Sequence, residues 1–351
     1  MTIILSRQEF RLNVWKLSVN LQPKYDRWQE VPMEIDKNII KLMLPLPFRL
    51  DYINCYLLRG KEGWDIIDSG LNYPPALAAW EKFFKLYNIR YTDINNIYLT
   101  HYHPDHYGTA GWLQALTGAS VHIHRAENAQ VEQLWKKGRL NFPLVGDMFN
   151  EHGMPATLTT EVVDNLSEIL ANVQPHPILS FLDGGEEIEI GLRLFKILHT
   201  PGHSDGHLCF FCEAEGLLIS GDHILPHITS NIGLWPTSHS NPLEHYLTSL
   251  EMTGCLEVKK VLPGHGNVFN DCAGRVDQLI RHHRQRLVSI ADMAANGSTA
   301  HKICELLFGE DLKLHELRFA MAETLAHLAY LESRGKVISK REGEVIIYRK
   351  V

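Results

Sequence analysis

The chain has 351 residues, 45% of them hydrophobic and 21% charged, and a net charge of −7. That length suits two domains, or one large domain with an appendage, and the ordinary globular balance excludes disorder, collagen-like repeats and a disulfide-stapled miniprotein. No apolar run approaches the roughly 20 residues that cross a bilayer, and Arg7, Glu9 and Arg11 break up any secretory core, so the expected setting is the cytoplasm, away from membranes.

Residues 1–37 alternate weakly between apolar and polar and read as an N-terminal extension, an extra hairpin packed on the body. From Ile39 the pattern sharpens. Ile39–Leu44, Tyr52–Leu58 and Trp64–Ile67 read as strands, and Pro74–Leu86, opening on prolines, as a helix. A strand is expected at Ile94–Leu99, a helix at Tyr107–Leu116, a strand at Ser120–Ile123 and a helix at Ala126–Lys137. Between Arg139 and Pro177, segments with Pro and Gly surround one helical stretch near Ala156–Ala171, as in an insertion over one end of a fold. Strands resume at Glu186–Ile190, Leu192–Leu198, His207–Phe211 and Leu217–Ser220, followed by a helix at Pro242–Thr253 and a strand at Lys259–Leu262. Strands and helices mixed in this way predict a layered α/β body over residues 38–272.

A long helix is expected to begin at Cys272 and to end near Asn296-Gly297, a plausible cap, so that residues 273–296 connect to a second unit. Beyond it, helical stretches at Ser298–Phe308, Leu314–Phe319 and Ala320–Arg334 precede a hairpin turning at Glu342-Gly343, a winged-helix layout over residues 297–351. From Gly274 onward Lys and Arg outnumber Asp and Glu by 13 to 10, whereas the remainder is acidic. The six cysteines form no short-spaced framework and read as reduced thiols. Cys209 and Cys212 sit in one apolar strand, where positions three apart face opposite ways, so they are expected in the core rather than on a metal.

Of the 20 histidines, those at strand ends carry the chemistry. His101-Tyr-His103-Pro-Asp105-His106 follows the strand that ends at Leu99. His203 in Pro-Gly-His-Ser, Asp222 in Ser-Gly-Asp-His and His265 in Pro-Gly-His-Gly each follow another apolar run. Neutral imidazoles and carboxylates gathered from such loops are ligands for borderline divalent metals. An isolated loop histidine is usually plain surface, as expected for His176 and His315, and His282-His283 on the long helix reads as a solvated face.

These motifs resemble those of the metallo-β-lactamase-fold hydrolases, an αββα sandwich with its metals at one edge. The resemblance implies two divalent metals, zinc by default with iron or manganese compatible, one held by His101, His103 and His203. Asp105, His106 and His265 would hold the other, with Asp222 bridging, and Asp68 in Ile-Asp-Ser-Gly would support a ligand from behind. The C-terminal winged helix narrows the likeness to the β-lactamase-like-protein-2 type and to glyoxalase-II-like hydrolases.

Hydrolysis by water activated between two metals is the implied reaction, with Asp105 orienting the nucleophile and passing its proton to the leaving group. The bridging Asp222 places the chain with thioesterases, lactonases and nucleases rather than true lactamases. Only 42 residues separate Asp222 from His265, which leaves no room for the domain that large RNA-processing members insert there. The acidic body and the insertion favour a small ester, thioester or lactone as partner. The alternative is endonucleolytic cleavage of single-stranded RNA, for which no Lys/Arg run borders the motifs. A third reading, a DNA- or partner-binding module with a vestigial site, is opposed by the complete ligand set.

Past Asp222, His227 is the first choice for a further catalytic contact, with His223, Asn231 and Trp235 as other candidates for substrate contact; Tyr107 reads as packing. Lys336, Lys340, Arg341, Arg349 and Lys350 give the C-terminal hairpin a basic tip, but the preceding helix bears almost no base-reading side chains. Packing, including in a homodimer, is the expected role of that module.

Overall fold

The computed structural model describes residues 32–351. Seven strands form one sheet in the order of the chain: β1 (Met33–Asp36), β2 (Ile39–Pro45), β3 (Tyr52–Arg59), β4 (Trp64–Ile67), β5 (Ile94–Tyr98), β6 (Ser120–His124) and β7 (Leu179–Leu182). β1 to β4 pair antiparallel, and β4 to β7 parallel. A second sheet of five strands holds β8 (Glu187–Ile190), β9 (Arg193–His199), β10 (Leu208–Cys212), β11 (Leu217–Gly221) and β12 (Lys260–Pro263); only β11 and β12 pair in parallel.

Period-two alternation sorts the side chains between two cores. On β3, Tyr56 and Leu58 join a buried cluster shared with Phe195, Ile197, Phe210 and Ile219 of the second sheet, which therefore lies between the sheets. Ile53, Cys55 and Leu57, on the opposite face of β3, join the core beneath the helices. Cys209 and Cys212 separate in the same way, one into each core, and both are buried free thiols. A strand covered on both faces explains why β10 reads as an unbroken apolar run.

The outer helices are α1 (Pro74–Leu86), α2 (Pro104–Tyr107), α3 (Ala110–Thr117), α4 (Arg125–Gln130), α5 (Gly138–Glu151), α6 (Ala156–Glu168) and α7 (Pro242–Gly254). Trp80 of α1 is fully buried, and its indole N–H donates to Ser69 O at 2.8 Å, pinning the turn that carries Asp68. Loss of such a side chain costs about 3–5 kcal/mol. The chain ends in α8 (Cys272–Met293), α9 (Ala300–Phe308), α10 (Leu314–Ser333) and a separate hairpin of β13 (Val337–Glu342) and β14 (Val345–Lys350).

Several expectations change. Residues 1–31 of the expected extension lie outside the described residues, while Met33–Asp36 forms the edge strand β1, so the sheet begins before the boundary expected at residue 38. The segment expected to be irregular forms α5, with Pro143 inside it, because Phe142, Val145 and Phe149 bury one face. β7 was not foreseen. The two helices expected over 314–334 are one continuous α10, so two helices rather than three follow Gly297. Its residues Leu317, Met321, Leu325 and Leu328 share the core of the body. Among the described residues no helix is long and apolar enough to cross a membrane.

Candidate metal centre

The C-terminal ends of β4, β5, β9, β11 and β12 open onto one edge of the sandwich, and each is followed by one of the singled-out motifs. The two sheets are joined there directly: Leu208 N donates to Thr100 O at 2.9 Å and Asn54 N to Gly264 O at 2.7 Å. Turning chain ends back over this edge needs unusual backbone. Asp68, at φ 60°, occupies a left-handed conformation that strains a residue bearing a Cβ. Gly264 permits a close approach: a Cβ there would lie 2.4 Å from Asp222 Oδ1 and 2.9 Å from His106 Cε1.

All seven expected ligands converge. His101 Nε2 lies 2.9 Å from His103 Nδ1 and 3.2 Å from His203 Nε2. His265 Nε2 lies 3.2 Å from Asp105 Oδ2, and His106 Nε2 is 3.8 Å from the same oxygen. Asp222 sits between these groups, 3.4 Å from His106 Nε2, 3.7 Å from His203 Nε2 and 3.5 Å from His265 Nε2. The ligand atoms of His101, His103 and His203 lie within 4.8 Å of one another, as do those of Asp105, His106 and His265, and those of His101, His106 and Asp222.

The outward ring nitrogens of three of these histidines are engaged elsewhere, which fixes each ring with its other nitrogen inward. His203 Nδ1 lies 2.8 Å from Asn231 O, His265 Nδ1 2.8 Å from Tyr52 O, and His106 Nδ1 2.8 Å from Asp68 Oδ2. Asp68 is held in turn by Thr100, whose amide donates at 2.9 Å and whose hydroxyl lies 3.0 Å from each carboxylate oxygen. Behind the inward atoms nothing completes the set: the buried His106 Nε2 and Asp222 Oδ1 have no hydrogen-bond partner. A buried carboxylate oxygen and a buried imidazole nitrogen left bare are costly unless something binds them.

The electrostatics agree. Burial and the neighbouring imidazoles hold His101 and His103 well below the usual histidine range, as neutral donors. Burial also opposes the charge on His106 and His265, but the facing carboxylates outweigh it and raise both. Asp105 resists burial in the same way, and His106 and His265 bring it down to about 2. Positive charge is thus drawn to the ring nitrogens that face the carboxylates, where a divalent cation would displace protons. The donor set, imidazole and carboxylate with bare inward atoms, fits a divalent metal.

The other candidates disperse. His227 is exposed on the rim, in a depression of about 110 Å³ that it lines with Tyr52 and His265. Asn231 serves the site through its carbonyl, while its side-chain amide donates to Phe319 O and Glu323 Oε2. His223 is buried against Thr253, with Nε2 3.1 Å from its hydroxyl. Trp235 lines a small hollow with His203 and Tyr102. Tyr107 is fully buried, with its hydroxyl 3.1 Å from His176 Nδ1, and packs as expected.

Two supporting residues were missed. The buried Glu127 of α4 accepts from Tyr102 N at 2.7 Å and from Gly206 N at 2.5 Å, clamping the His101–His106 loop to the His203 loop. Burial pushes its pKa up to about 7. His207 accepts from Asp222 N at 3.2 Å and places Nδ1 2.9 Å from Thr200 Oγ1. A carboxylate in a helix and a histidine opening a strand carry no motif that marks them.

Residues 49–265 match the family model of the metallo-beta-lactamase superfamily, and residues 287–351 that of the metallo-beta-lactamase-like C-terminal domain. The chain is similar to the probable metallo-hydrolase YqjP of Bacillus subtilis, at 26% identity over 89% of this chain and 98% of the relative. It is similar to the atrochrysone carboxyl ACP thioesterase of Aspergillus fumigatus, at 24% identity over 76% of this chain and 71% of the relative. A crystal structure of the metallo-beta-lactamase family protein TTHA1429 from Thermus thermophilus superposes with a TM-score of 0.81 and 31% identity, covering 90% of this chain and 99% of that one.

Proposed function

The chain belongs to the metallo-β-lactamase superfamily of hydrolases, and from that premise we propose that it uses two divalent metals, zinc by default, to hydrolyse a small ester, thioester or lactone. The observation that carries the reading is the convergence of seven imidazole and carboxylate side chains, two of whose buried inward atoms, Asp222 Oδ1 and His106 Nε2, find no hydrogen-bond partner. His101, His103 and His203 would hold one ion, Asp105, His106 and His265 the other, with Asp222 between them. Bound there, the pair would lower the pKa of a water toward neutrality and polarise the scissile carbonyl.

The chain's own residues supply the rest. Asp105, kept ionised beside His265, accepts a hydrogen bond from the attacking water, orients it and relays its proton to the departing oxygen or sulfur. His227, on the rim next to His265, contacts the polar part of the substrate. Asp68, Asn231 O and Tyr52 O keep the rings of His106, His203 and His265 in place. Small size is favoured by the depression of about 110 Å³ beside His265, far below a pocket for a drug-sized ligand, and thioester chemistry by the likeness to a thioesterase.

The test is turnover by metal-loaded protein across acyl thioesters, lactones, simple esters and single-stranded RNA, with His103→Ala as control. Turnover of one small acyl class, abolished in the variant, is expected; cleavage of RNA alone would overturn the substrate assignment.

A further inference from the structure

Two buried arginines flank the C-terminal helices, and they are treated differently. Arg286 of α8 lies against the Glu323 carboxylate in a buried ion pair. Arg318, in the second turn of α10, is only 3% exposed, yet its Nε and Nη1 have no hydrogen-bond partner. Nη2 donates to His315 Nδ1 at 3.2 Å, and the guanidinium carbon lies 4.7 Å from the centre of the Phe319 ring. Among the described residues no carboxylate forms an ion pair with it. Burial pulls its pKa down to about 10, which leaves it cationic at neutral pH. A buried cation with two bare donors is a rare expense in a native fold.

Its position explains what the donors serve. The group whose charge Arg318 feels is Tyr102, which stands between the ligands His101 and His103 and has its ring centre 4.8 Å from that of His103. His315, which Arg318 touches, feels the charge of Asp105. The carbonyl of the next residue, Phe319, accepts from the Asn231 side chain, and Asn231 O orients His203. The hydrogen-bond route from Phe319 O through Asn231 to His203 sets Arg318 next to the cluster, on a helix that the C-terminal region contributes, and the charges it and His315 feel agree with that place.

We propose that Arg318 is the substrate-recognition residue for an anion: its free donors take a carboxylate or phosphate carried by the acyl substrate whose ester or thioester bond is cut at the cluster. Guanidinium suits both oxyanions, because its planar donors match their oxygens and hydrogen bonds to charged groups are stronger than neutral ones. The inference deepens the hydrolytic reading above and rests on it for the identity of the bond cut.

The experiment compares wild type, Arg318→Met and Arg318→Lys, all metal-loaded, on matched thioesters bearing a free terminal carboxylate or its methyl ester. In the wild type the acid is preferred; in Arg318→Met, kcat/KM for the acid falls at least about tenfold, mainly through KM, while that for the methyl ester stays within about twofold. Arg318→Lys recovers part of the loss. Independently, glutarate and inorganic phosphate are titrated against the same three proteins, and the ion whose affinity weakens about tenfold or more in Arg318→Met identifies the anion source. Equal loss on acid and ester, loss of bound metal, or anion affinities unchanged by the substitution would each overturn the proposal. If no acyl substrate is turned over by any of the proteins, the hydrolytic reading fails by itself, and the two titrations still decide the role of Arg318.

Discussion

Two groups of histidines are buried in this protein, and they have opposite surroundings. Those of the sandwich edge follow strand ends and gather around the carboxylates of Asp68, Asp105 and Asp222. His283 of α8 and His327 of α10 are equally buried but pack on each other, rings stacked with centres 5.2 Å apart and His283 Nδ1 3.1 Å from His327 Nε2. His327 Nδ1 lies 2.8 Å from Glu323 O, so both of its nitrogens are engaged within the protein. Burial and the neighbouring cations hold His327 down at about 3 and His283 well below its usual range. The first group is made to receive a cation; the second is made to stay neutral. What separates them is the facing carboxylate, not burial or residue type.

The sharpest way to break this contrast is to remove one member of each group. His103→Ala is expected to lower kcat/KM by about 1,000-fold or more, since in the proposed mechanism bound metal would supply most of the transition-state stabilisation, whereas His327→Leu leaves it within a few-fold; steady-state kinetics reads both. Next in size is Asp68→Ala, which frees the ring of His106. A loss of about 10- to 100-fold in metal affinity or activity is expected, as for other residues that orient metal-bound histidines, and a metal titration would show it.

The helical pair makes its own prediction in pH. Its folded pKa values lie below the unfolded value of 6.5, so the folded state binds fewer protons. The stability it contributes is complete above pH 6.5 and is lost as pH falls, by about 2 kcal/mol at pH 5 for His327, which is held at about 3, and in the same direction for His283. Denaturant unfolding from pH 7 to 5 should therefore lose less stability in a His283→Leu/His327→Leu variant than in wild type, and an unchanged slope would mean that the pair is not held neutral. Smallest of all is the effect of Lys340→Glu with Arg341→Glu on the C-terminal hairpin. Arg341 is half-exposed and pairs with Glu151, a contact worth under about 1 kcal/mol, so turnover of small acyl substrates should stay within twofold.

The ligand set was legible in the sequence because each of its motifs follows a strand and contains a glycine or proline, which turn a loop back over a sheet edge. His283 was misread, together with His282, as part of a solvated face, although the signal was present. Val276, Leu279, His283, Leu287 and Ile290 share one stripe at helical spacing, and all are buried. Pro143 and nearby glycines argued against α5, and the burial of Phe142, Val145 and Phe149 overrode them. Expecting a break within α10 had no Gly or Pro to support it, and none occurs. Arg318 was invisible for another reason. A lone arginine between Leu317 and Phe319 looks like a helix surface until tertiary packing buries it.

Metal content per chain, measured on wild type, His103→Ala, Asp222→Ala and His327→Leu after loading with zinc and removal of the excess, tests the central contrast most directly. Two equivalents are expected in wild type and in His327→Leu, with a clear deficit in both loop variants. Full loading of the loop variants, or loss of metal from His327→Leu, would contradict the assignment of the metals to the sandwich edge.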